Sequence, residues 1–64
     1  MTERVEISVE YVHETNLAYL IKDGGLEVWL PKAHSTILTP TAPRPGEAVE
    51  MEVDEWLAMK EGLI

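Results

Sequence analysis

The stretch RVEISVEYV, Arg4 to Val12, alternates without a break. Val5, Ile7, Val9 and Tyr11 fall on one side, and Arg4, Glu6, Ser8 and Glu10 on the other. Period-two alternation of apolar, mostly β-branched residues with polar ones defines a strand with one dry face and one wet face. A strand has unpaired N–H and C=O groups along both edges, and these need partners. The rest of the chain supplies them. EAVEMEV, Glu47 to Val53, alternates in the same way, with Val49, Met51 and Val53 inward and Glu50 and Glu52 outward.

Shorter strands lie between these two. HETN, His13 to Asn16, reads as a turn, followed by LAYLIK, Leu17 to Lys22, in which Leu17, Tyr19 and Ile21 share a face while Ala18 and Leu20 make the opposite face apolar too. Asp23, Gly24 and Gly25 tolerate positive φ and predict a tight hairpin turn. LEVWL, Leu26 to Leu30, returns as the next strand, with Leu26, Val28 and Leu30 on one face and Glu27 and Trp29 on the other. Pro31 cannot donate to a ladder, so the strand stops or becomes an edge there. KAHS, Lys32 to Ser35, reads as one helical or 3₁₀ turn, with Ser35 bonding nearby backbone. TILT, Thr36 to Thr39, is a short β-branched strand, and PTAPRPG, Pro40 to Gly46, is a proline-rich surface loop.

The spacing changes at Asp54. DEWLAMKEG places Trp56, Met59, Lys60 and Leu63 along one side of a helix with Leu57 beside it. Asp54 suits the N-cap, Glu55 the positive end of the helix dipole, and Gly62 the left-handed C-cap. A helix of about eight residues does not persist alone. The expectation is that it docks its Trp56 side on the second apolar face, that of Ala18, Leu20 and Trp29. The fold class that follows is mainly β: a small curled antiparallel sheet or partly open barrel of four to five strands with a short C-terminal α-helix, forming one domain over residues 1–64. Strand order is not readable from this pattern.

Size and charge restrict function. Sixty-four residues without a cysteine exclude disulfides and thiolate metal sites, and leave a small core that a partner subunit would help. The core draws on two Trp and two Tyr, with no Phe. No apolar run has the length of a membrane span, and the first residues are unlike a signal peptide, so a cytoplasmic location is expected. Twelve acids against five bases give a net charge of −7, which disfavours nucleic acid as a partner. His13 and His34 stand in no metal-binding spacing, and no nucleophile–base pair is visible. The expectation is therefore no enzyme, no metal and no cofactor.

Two segments carry a resemblance. GGLEVWLPKAH, Gly24 to His34, is similar to a Glu-Val-Trp-Leu-Pro-Lys-Ser-Gln signature of short uncharacterised phage and bacterial proteins. DEWLAMKEGLI, Asp54 to Ile64, is similar to the Pro-Glu-Trp-Leu-Ala-x-Lys-x-Gly-Leu ending of the same group. With the acidic strand between them these cover roughly half of the chain. The chain departs from the signature at Ala33, His34 and Asp54. The resemblance implies a small domain found alone or attached to phage replication and recombination proteins; it carries no activity over to any residue.

Three functional readings follow. The first is a non-enzymatic accessory module that binds a protein, itself included, at a rim of Trp29, Pro31, Lys32 and His34, since loops on a rigid scaffold commonly carry function. If Val28 to Leu30 forms a sheet edge, that edge could also accept a partner's strand or that of a second copy. The second is single-strand nucleic-acid binding, with Trp29 or Tyr19 stacking on bases and Lys22, Lys32 and Arg44 touching phosphates. The third is an acidic decoy of a DNA-binding protein, which requires Glu6, Glu10, Glu50 and Glu52 to form one stripe.

Overall fold

A computed structural model describes residues 3–39 and 42–64. In order, the elements are β1 (Arg4–Glu14), β2 (Ala18–Asp23), β3 (Leu26–Pro31), a 3₁₀ turn (Lys32–His34), β4 (Ser35–Ile37), β5 (Ala48–Asp54) and α1 (Glu55–Lys60). The strands form one antiparallel five-stranded sheet in the order β3-β2-β1-β5-β4, which is not closed. The expected curled antiparallel sheet with a C-terminal helix is what the chain forms. Pro40 and Thr41 of the proline-rich loop lie outside the described residues, as do Met1 and Thr2. Among the described residues no helix is long and apolar enough to cross a membrane.

The longest alternating strand takes the centre. β1 pairs with β2 on one side and with β5 on the other, from Arg4↔Asp54 to Glu10↔Ala48. Alternation then places Val9 and Tyr11 from β1, Ile21 from β2, Val28 and Leu30 from β3, and Val49, Met51 and Val53 from β5 in one buried cluster. Val5, Ile7, Tyr19 and Ile37 line its margin. The β2–β3 hairpin turns at Gly24 and Gly25, between the paired Asp23 and Leu26, and Gly24 has φ +65°, a conformation that a Cβ would strain. The opening turn of β2 is held by Thr15, whose hydroxyl accepts from the N–H groups of Leu17 and Ala18.

β1 differs from the expected strand in two ways. It runs on to Glu14, through residues read above as a turn, and it carries a bulge: Tyr11 faces Ile21, but His13 faces Leu20, leaving Val12 as the extra residue. An extra residue reverses the alternation beyond it. Without the bulge His13 would turn inward and Glu14 outward. With it, Glu14 faces Tyr19 on the core side.

The helix also differs. α1 has six residues and buries Leu57 and Ala58, with Leu63 packing behind them, while Trp56 stays 47% exposed. It packs mainly against β5 and β1, and Trp29 on the Ala18–Leu20 face stays exposed. Its length and its attachment explain this. Six residues span about 9 Å, and α1 follows β5 with no linker, its first N–H donating to the Glu3 carbonyl at 2.8 Å. It folds over the near end of the core, where its main contacts are with β5 and β1. Its C-terminal end is as expected: Gly62 has φ +76°, and the Leu63 N–H donates back to the Ala58 carbonyl at 2.8 Å. That bond returns Leu63 to the core.

Leu30 is completely buried on edge strand β3. Leu30→Ala is expected to cost about 2–5 kcal/mol, a large share of what holds a domain of this size. Urea unfolding followed by circular dichroism measures it, and an unchanged midpoint would contradict this packing.

Candidate functional site

The 3₁₀ turn joins the two edge strands of the sheet in three residues. Ser35 at its end donates through Oγ to the Pro31 carbonyl at 2.8 Å, so the last residue of β3 and the first of β4 are held together. The side chains of the turn leave in different directions.

Lys32 joins the group created by the Val12 bulge. Its Nζ lies 2.6 Å from Glu14 Oε2 and 4.9 Å from the Tyr19 ring centre. Tyr11 donates its hydroxyl to Glu14 Oε1 at 2.9 Å. The Lys32 bond is the main cause that holds the Glu14 carboxyl below its ordinary value, with the Tyr11 bond second. The Tyr11 phenol is raised, first by burial and then by Glu14. Tyr19 is partly buried at the core margin, with Lys32 over its ring.

His34 turns to Asp54. Its Nδ1–H donates to Asp54 Oδ2 at 2.8 Å, and the Arg4 Nε–H donates to Asp54 Oδ1 at 2.9 Å. Asp54 is 5% exposed. Burial alone would raise its carboxyl, but the His34 bond and the Arg4 charge together lower it. Asp54 is the N-cap residue of α1, as expected, but makes no side-chain cap bond, its oxygens being taken by these two long-range partners. Arg4 also donates to Thr36 Oγ1 at 3.0 Å and lies 3.7 Å from Glu52. Trp56 meets the His34 ring edge-on at 5.2 Å between centres. The expected Trp56 partner, Trp29, is replaced by His34.

Trp29 is 49% exposed, and α1 does not cover it. It stands opposite Leu20, and the next pair on the same face is Ala18 with Pro31. His13, beside the bulge, is opposite Leu20 from the other side. This outer face of β2–β3 is the apolar surface that the sequence pattern assigned to the helix. Of the four candidate rim residues, Trp29 and Pro31 share it. Lys32 is engaged in an ion pair with Glu14, and His34 separately in a hydrogen bond with Asp54. The Leu20 and Ala18 contribution was legible as the apolar second side of LAYLIK.

The same outer face continues over β1 and β5. Glu6 stands opposite Glu52, Ser8 opposite Glu50, and Glu10 opposite both Ala48 and Lys22. The four glutamates thus lie on adjacent strands. An open cleft of about 330 Å³ runs along β5 here, lined by Ser8, Leu38, Thr39, Ala48, Val49 and Glu50. Among the described residues no three His, Asp or Glu side chains are placed to hold a metal ion.

Comparison of the chain with family models, with curated proteins and with solved structures returns no match.

Both lowered carboxylates tie stability to pH with one sign. Each contributes stability that is fully present above the unfolded carboxyl value of about 4 and is lost as pH falls through the lower folded value. Loss of stability is therefore expected to set in below about pH 4. Asp54→Asn should be less stable at neutral pH and should lose less on acidification. Urea midpoints across the acid range measure both, and an identical acid slope in Asp54→Asn would contradict the linkage.

Proposed function

We propose that this protein is a non-enzymatic accessory module that captures another protein on the outer face of β2–β3, with Trp29 as the anchor. The observation that carries the reading is a tryptophan held in a strand, half exposed, and flanked by Leu20, Ala18 and Pro31. Large aromatics presented on a rigid element are the residues on which interface energy concentrates. A strand fixes the backbone of Trp29 in advance, so little ordering cost remains when a partner closes over it.

The histidine and carboxylate groups serve the fold in this reading. His34, Arg4 and Asp54 satisfy one another where the edge strands meet, and Glu14 with Lys32 and Tyr11 does the same at the bulge. Single-strand nucleic-acid binding fits less well. Beside Trp29 the near cation is Lys22, paired across the sheet with Glu10 and with Glu27. A setting beside phage replication and recombination proteins is part of this proposal and rests on the two sequence motifs alone.

Trp29→Ser tests the reading. It removes the anchor from a solvent-facing position, so the circular dichroism spectrum and thermal midpoint should stay close to wild type. Proteins retained by the immobilised wild-type protein from a lysate of its own source should be lost by more than about tenfold, the range of an interface hot spot. Equal retention by a folded Trp29→Ser would remove this face from consideration.

A further inference from the structure

We infer that the occupant of the Trp29 face is a cationic polypeptide segment, an apolar anchor followed by lysines or arginines, and that the outer face of β1 and β5 receives its charges. The inference rests on the protein-capture reading and specifies the chemistry of the partner.

The apolar patch has an acidic border on one side. One pair along the strands from Trp29 and Leu20 lie Glu27 and Lys22, with Glu10 opposite Lys22 on β1. Beyond Glu10 the face holds Glu50 opposite Ser8, then Glu6 opposite Glu52. From Trp29 to Glu6 the path is about 20 Å along the sheet surface, the reach of six or seven extended residues. A single short segment can therefore touch both.

Three of the chain's five cations are already paired near this border or away from it. Arg4 is committed to Asp54, Thr36 and Glu52, and Lys32 to Glu14 on the other side of the sheet. Lys22 stands between two glutamates. Glu6 and Glu52 are directly opposed like charges, and Arg4, 3.7 Å from Glu52 but shared with Asp54 and Thr36, offsets only part of their repulsion. A further cation arriving beside Glu6 offsets the remainder. A second copy of the chain would bring a net charge of −7 to the same face, and a nucleic acid would bring phosphates. Neither complements it.

The test measures fluorescence anisotropy of labelled peptides of about twelve residues, long enough to span the path. One carries lysine and serine around a central Leu-Leu pair, a second has glutamine for every lysine, and a labelled thymidine oligonucleotide is the third probe. The lysine peptide should bind wild type and weaken about tenfold from about 50 to 300 mM salt, because exposed charges are screened over that range. Trp29→Ser should weaken it about tenfold. The triple variant Glu6→Gln, Glu10→Gln, Glu50→Gln should do the same and flatten the salt dependence, with unchanged circular dichroism.

Each other result overturns the inference. No binding of the lysine peptide does so directly. Equal binding of the glutamine peptide removes the charge argument and leaves the Trp29 face as a docking surface. A loss in the triple variant without a loss in Trp29→Ser reduces the effect to general attraction of a polycation and overturns the protein-capture reading as well. Sedimentation of a dimer that Trp29→Ser dissociates makes a second copy the occupant and keeps that reading. Oligonucleotide binding that depends on Trp29 overturns both.

Discussion

The two outermost strands of the sheet are joined by three residues, and most of the architecture follows from that. In a flat sheet β3 and β4 would stand four strand spacings apart, about 19 Å. The chain from Pro31 to Ser35 reaches at most about 14 Å, and the Ser35 hydroxyl bonds the Pro31 carbonyl. The sheet must curl until its edges approach at this corner. Curling puts the core inside one concave face and leaves the opposite face to solvent. The terminal helix then has one task, to close the near end of the concave side with Leu57, Ala58 and Leu63.

The corner also explains why so many polar contacts gather around it. Curling brings a 3₁₀ turn, the ends of β1 and β5 and the start of α1 into one region, where polar groups lose water. Asp54 is buried there and is matched on both oxygens, by Arg4 and by His34. Removing either partner would leave the buried carboxylate undercompensated, which costs more than replacing the whole group by apolar residues. Among the described residues no buried side-chain polar atom lacks a partner. The outer face shows the opposite economy: Trp29 is left half uncovered and Glu6 faces Glu52.

Legibility in the sequence divided along physical lines. Properties fixed by one residue and its neighbours were readable: the alternation of β1 and β5, the stop at Pro31, positive φ at Gly24 and Gly62, and the Ser35 hydroxyl turned to backbone. Properties fixed by distant parts of the chain were not. The bulge at Val12 depends on which partner β1 finds, and without it neither the length of β1 nor the inward turn of Glu14 follows. Asp54 has the right residue type for an N-cap, but Arg4 and His34 compete for its oxygens, and only register brings them within reach. Trp56 and Trp29 were assigned to each other because large aromatics favour burial. The short linkerless helix could not bring them together, and no periodicity reports that distance.

The central position of β1 has a consequence for how the molecule forms. Its partner on one side is the adjacent β2, but on the other it is β5, and Arg4 and Asp54 lie 50 positions apart in the chain. The three-strand meander β1–β2–β3 can therefore arise locally, yet one edge of β1 stays open until β5 arrives. Contacts of such long range make folding slow relative to a helical chain of equal length, since loop closure comes before its reward. They also join the two halves of the chain into a single cooperative unit. An interrupted chain lacking β5 would expose the unpaired Arg4–Glu10 edge of β1, the kind that seeks other copies to pair with.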